Sequence, residues 1–143
     1  MVTLVFFRAT KPNWIQKLIR WRQLGPFNHV GMIVNELLWE AVPRGIRASK
    51  WEPREGTVLV PVQVADESAI REWWLDHAGQ PYDAAGLLEL AAGRPASDKK
   101  AWFCSEACTA ALQEAGVFMF ADPSITTPQE LWAMAMARGE VCG

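Results

Sequence analysis

Extended and helical patterns occupy different stretches of this 143-residue chain, and that division limits its fold more than any other feature. Val2 to Phe7 is a run of β-formers with the character of a buried strand. Phe27 to Val34 reads as a second strand. A tight turn leads to Leu37 to Val42, its expected hairpin partner. Pro43-Arg44-Gly45 turns the chain again, and Thr57 to Val64 reads as a further strand whose Pro61 suits an edge or a bulge. One helix interrupts these strands, Asn13 to Gln23. Trp14, Ile15, Leu18 and Ile19 form its apolar stripe and Gly25-Pro26 its stop.

Beyond Val64 the periodicity is helical. Asp66 or Ser68 caps an expected helix running to Ala78, with Ile70, Trp73, Trp74 and His77 on one face. Gly79-Gln80-Pro81-Tyr82-Asp83 is a turn, Ala84 to Ala92 a short apolar helix, and Gly93 to Lys100 a polar loop. Thr127-Pro128-Gln129-Glu130 has the form of a capping box with proline at the first helical position, opening a last helix. Strands first and helices after indicate an α+β fold, a small antiparallel sheet with helices packed on it. No repeat or linker divides the chain, so 1–143 reads as one domain, large enough to bury a core without disulfides or metals.

Within the helical half, Trp102-Phe103-Cys104-Ser105-Glu106 delivers a cysteine to the first turn of an amphipathic helix. Its apolar positions are Ala107, Cys108, Ala111, Leu112 and Ala115, and Gly116 stands where a left-handed cap residue belongs. A thiol at a helix N-terminus meets unpaired N–H groups and the positive end of the macrodipole, a setting that favours the thiolate nucleophile. A small buried hydrophobe at Cys104 would satisfy the same pattern. Cys108, one turn deeper on the stripe, is expected to be buried and inert.

Composition excludes several functions. A net charge of −2 argues against general nucleic-acid binding. The first 35 residues hold Arg8, Lys11, Lys17, Arg20 and Arg22 and no acid, which suits solvated charges around a helix and also contact with an anionic polymer or membrane surface. Three cysteines, Cys104, Cys108 and Cys142, form neither a disulfide framework nor a zinc site, so no metal or cofactor is expected and a reducing compartment is. No apolar run is long enough to span a membrane, and no signal-peptide pattern opens the chain. As written it reads as cytoplasmic, or as phage-associated or exported by a route the sequence does not display. Eight tryptophans must fill a core, line a groove or face a partner.

A cysteine nucleophile needs an imidazole within reach and a third group to orient it. Of the two histidines, His77 lies on a packed helix face and reads as structural. His29 opens a strand, and Gly31 two residues on lets the backbone approach another element closely. In the next strand Glu40 points away from Trp39 and Ala41. Spacing leaves it two places, facing solvent or beside His29.

Five segments, in order, resemble the circularly permuted NlpC/P60 cysteine hydrolases, and within them the YiiX-like branch. They are Asn28-His29-Val30-Gly31-Met32-Ile33-Val34, Trp39-Glu40-Ala41, Gly79-Gln80-Pro81-Tyr82-Asp83, Phe103-Cys104-Ser105-Glu106 and Thr127-Pro128-Gln129-Glu130-Leu131. The matches run from about Val2 to Trp132. The resemblance implies a papain-like α+β fold with the histidine strand before the cysteine helix. It implies Cys104 as nucleophile, His29 as general base and then acid, Glu40 as the residue orienting the imidazole, and Tyr82 as a substrate-side residue. Unpermuted members carry Asp-Cys-Ser-Gly, whereas this chain has Phe103-Cys104-Ser105-Glu106, a departure that bears on transferring their peptidoglycan-peptidase activity. Acyl transfer through a thioester on Cys104 follows, with three outcomes left open. These are hydrolysis of an amide in a cell-wall peptide such as peptidoglycan, hydrolysis or transfer of a lipid acyl ester, and a non-catalytic phage or binding protein that keeps the fold. The oligomeric state is not legible.

Overall fold

A computed structural model describes residues 1–8, 26–85, 92 and 101–142, the last helix without side chains beyond 139. The expected helix over 13–23, most of that over 84–92 and the loop over 93–100 lie outside them. The described residues form an α+β structure with one five-stranded antiparallel sheet and three helices. The strands are β1 (Val2–Phe7), β2 (His29–Val34), β3 (Leu37–Val42), β4 (Gly45–Lys50) and β5 (Thr57–Val62), in the order β4-β3-β2-β1-β5. The helices are α1 (Glu67–His77), α2 (Cys104–Glu114) and α3 (Pro128–Cys142), with a 3₁₀ turn at Pro123–Ile125 before α3.

Side-chain alternation sets the layers. Val2, Leu4 and Phe6 of β1, Val30, Met32 and Val34 of β2, and Trp39 and Ala41 of β3 enter one core with the helices. There they meet Ile70, Trp73 and Trp74 of α1, Ala107, Cys108, Ala111 and Leu112 of α2, and Leu131 and Ala135 of α3. Trp39 stacks on Trp74 with ring centroids 5.9 Å apart, tying the hairpin to α1. The cysteine helix packs against β2 and β3, as its apolar stripe requires.

Local chemistry accounts for the element ends. Asn35 and Glu36 both take positive φ, the backbone of a two-residue hairpin turn whose twist matches the strands. Asp66, rather than Ser68, caps α1 by accepting the Ala69 N–H at 3.1 Å. Gly116 adopts φ 74°; its N–H donates to Gln113 and that of Val117 to Leu112, closing α2 with a Schellman motif. Thr127 Oγ1 accepts the Glu130 N–H at 3.2 Å and opens α3.

Several boundaries differ from the sequence expectation. β2 begins at His29 rather than Phe27, and β5 ends at Val62 rather than Val64. The strand Gly45–Lys50 had no counterpart in the pattern reading, because only Ile46 and Ala48 alternate with its polar residues and pairing with β3 supplies the rest. β5 is a sheet edge, where Pro61 removes no needed ladder donor. No helix among the described residues is long and apolar enough to cross a membrane.

Candidate active site

Strand β2 opens at the sheet margin, where α2 also begins. Phe103, extended at φ −101° and ψ 168°, hands the chain to Cys104 as the first helical residue. Among the described residues no side chain caps this terminus, which leaves first-turn N–H groups able to meet an anion. Cys104 lies close enough to the His29 imidazole to favour its protonated form. On the other side of the ring, His29 Nε2 lies 2.8 Å from Glu40 Oε1. A carboxylate only accepts, so Nε2 carries the proton and Nδ1 is the nitrogen left for the sulfur. The structure thus brings Cys104, His29 and Glu40 together, with His29 bonded to Glu40 and Glu40 beside the ring rather than out in solvent.

Gly31 makes that row sterically feasible. A Cβ at Gly31 would lie 3.0 Å from Glu40 Cγ, 2.9 Å from Leu38 Cδ1 and 3.0 Å from the Trp39 carbonyl oxygen. The Glu40 stem occupies the space a side chain would have taken. Phe7 lies opposite His29 in the β1–β2 register, and its ring centroid is 5.1 Å from the imidazole, which backs the ring.

The electrostatics favour a charged pair. Burial alone would lower the His29 pKa. Hydrogen bonds and charge from Cys104 and Glu40 outweigh it and raise the pKa to about 9. Burial likewise opposes ionisation of Glu40, but the His29 bond and charge, then Arg54 and Arg47, hold its carboxyl below the usual range. Arg47 stands directly opposite Glu40 on β4, the strand the sequence reading passed over.

These shifts give stability a pH dependence of known sign. The folded chain keeps a proton on His29 that the unfolded chain releases near pH 6.5, so the contribution is full below that pH. It is lost as pH rises through about 9, amounting to on the order of 3 kcal/mol. Thermal melts from pH 6 to 10 should therefore fall more steeply in wild type than in His29→Ala.

The remaining expected residues fall as follows. Tyr82 bridges to Trp102 in parallel, which sets it beside the residues that lead into Cys104. Burial, then the charge at Cys104 and Asp83, push its hydroxyl pKa upward, so it stays a protonated donor. His77 Nδ1–H donates to the Trp73 carbonyl, 2.7 Å away, and the imidazole stacks 4.0 Å from the Trp73 ring, a structural placement. Cys108 is fully buried, its sulfur 3.9 Å from the Val30 carbonyl oxygen, and burial followed by the charge at Cys104 raises its pKa far above a free thiol's.

Access is restricted. Cys104 is only 1 % exposed, whereas the His29 and Glu40 side chains keep 17 % and 12 %. Two buried polar side chains flank the row, Asn28 before the histidine and Ser105 after the cysteine. Sequence reading singled out neither of them. In comparison with known proteins, the chain matches no family model, and no curated protein matches it.

Proposed function

We propose that this protein is a cysteine hydrolase of the papain-like, permuted NlpC/P60 type, cleaving an amide bond in a cell-wall peptide through a thioester on Cys104. The observation that carries the reading is the Cys104–His29–Glu40 row at an uncapped helix start. His29 takes the thiol proton, and the sulfur attacks the amide carbonyl carbon. Its oxygen, as it becomes an oxyanion, meets the first N–H groups of α2, with the protonated Tyr82 hydroxyl at the substrate side. His29 then gives the proton to the departing amine as the C–N bond breaks. Water adds to the thioester while His29 takes its proton. The C–S bond breaks, and the sulfur returns to the imidazolium pair. Glu40 holds the ring and its charge throughout.

Substrate profiling tests the reading. Purified cell-wall peptides should be cut, with a new amine detected by mass spectrometry, faster than short acyl esters. A preference for the esters would move the assignment to a lipid acyl hydrolase. Turnover of neither, with biological function intact in Cys104→Ala, would make it a non-catalytic protein on this scaffold.

A further inference from the structure

The chain leaves α2 through a turn that holds two large apolar side chains out in solvent. Met119 is 65 % exposed and Phe120 82 %, the highest values among the large apolar residues described. The turn is closed by the Ala121 N–H, which donates to the Phe118 carbonyl at 3.0 Å. Gln113, in the last turn of α2, donates from Nε2 to the Phe118 and Ala121 carbonyls at 3.0 and 2.7 Å. Phe118 takes φ 57°, a left-handed backbone that a bulky residue adopts only where its surroundings impose it. Adjacent large apolar side chains held out by a fixed backbone form the kind of patch that marks a binding surface.

A groove of about 620 Å³ opens at this turn. Among the described residues its lining side chains are Phe118, Met119 and Phe120 from the turn, and Met134, Ala137 and Arg138 from α3. All but Arg138 are apolar, and the methionines can adjust their shape to what lies on them. Arg138 Nη2 donates to the Gln63 carbonyl at 3.2 Å, while its Nε is buried with no hydrogen-bond partner among the described residues. No carboxylate forms an ion pair with it among those residues. A buried guanidinium N–H without an acceptor is costly, and an anion entering the groove would satisfy it. Helix α2 has eleven residues and spans about 16 Å, so the groove lies at the far end of that helix from Cys104.

We infer that this groove binds a long-chain carboxylate, its hydrocarbon tail on Phe118, Met119, Phe120 and Met134 and its head group on Arg138, at a site separate from the catalytic row. Size favours a small amphiphile. The groove falls within the roughly 300–1,000 Å³ of small-molecule sites. A protein partner needs roughly 20–30 residues a side, and seven described residues line this groove. Charge disfavours an anionic bilayer, because the exposed Glu114 and Asp122 flank the turn where such a surface calls for lysine or arginine. The guanidinium chooses the head group. A carboxylate accepts its N–H groups and neutralises its charge, which an alcohol does not.

The test is isothermal titration calorimetry of the intact protein with decanoate, 1-decanol and butanoate, each below its aggregation limit. Wild type should bind a single decanoate, about 10-fold or more tighter than decanol, because only the acid answers the Arg138 charge. Butanoate, which has the head group without the tail, should not bind measurably. In Arg138→Gln the affinities for decanoate and decanol should become equal. In Phe120→Ser both should weaken about 10-fold, with the melting temperature held, since the ring is exposed in the free protein. Met119→Ser repeats that measurement at the neighbouring corner of the turn. Equal affinity of wild type for decanoate and decanol, binding unchanged in the variants, or no binding overturns the inference. So does a concentration-dependent dimer, or co-sedimentation with phosphatidylcholine–phosphatidylglycerol vesicles, that Phe120→Ser abolishes. The face would then belong to a second copy or to a membrane.

Discussion

Replacing Cys104 with serine should lower cleavage of the wall peptide by on the order of 10³- to 10⁶-fold while leaving the fold in place. The substitution exchanges sulfur for oxygen at a position that is 1 % exposed, so packing changes little. The chemistry changes a great deal. A serine hydroxyl is a far weaker nucleophile than a cysteine sulfur in the same place. His29→Ala should cost a comparable factor, because in the proposed mechanism the same ring accepts and returns the proton, and the losses should not add in the double variant. Steady-state cleavage with circular dichroism on each variant checks both statements. Residual activity near wild type in Cys104→Ser would remove the sulfur from the mechanism.

The second large effect belongs to a residue with no side chain. Gly31→Ala is expected to destabilise the protein by about 1–3 kcal/mol and to reduce activity about 10²-fold, although a methyl group is all it adds. That methyl would meet Leu38 Cδ1 at 2.9 Å, Glu40 Cγ at 3.0 Å and the Trp39 carbonyl oxygen at 3.0 Å. Leu38 can rotate, but the Trp39 oxygen belongs to the backbone of β3, whose register with β4 runs from Leu37 to Val42. The Glu40 stem is therefore pushed off His29, whose bond to the carboxylate is 2.8 Å in the intact site. With the carboxylate displaced, the imidazolium loses one of the two partners that raise its pKa, so the upper limb of the pH–rate profile should move to lower pH. Denaturant melts and a pH–rate profile on Gly31→Ala separate this from simple overpacking. Overpacking alone would lower stability and leave the profile where it was.

Much of the scaffold was legible because local pattern and tertiary role agree in it. The β-formers of Val2–Phe7 form β1, and the stripe through Ala107, Cys108, Ala111 and Leu112 is the buried side of α2. Gly116 takes the left-handed backbone its position suggested. Where they diverge, the sequence was mute. β4 carries so few apolar residues that only its ladder with β3 reveals it. Glu40 had two places open to it, and the space at Gly31 together with the Arg47 charge across the ladder decides between them. Tyr82 reads locally as a turn residue, while its bridge to Trp102 depends on a segment twenty residues away. That Asn28 is buried without a hydrogen-bond partner among the described residues is a property of the assembled core, which no residue pattern shows.

Thiol alkylation by iodoacetamide across pH, with peptide mapping, on wild type and His29→Ala tests the catalytic row most directly. Cys104 is expected to be alkylated readily at neutral pH in wild type and only at alkaline pH in His29→Ala, with Cys108 unmodified in both until the chain unfolds. An identical pH dependence of Cys104 labelling in the two proteins would contradict a working sulfur–imidazole pair.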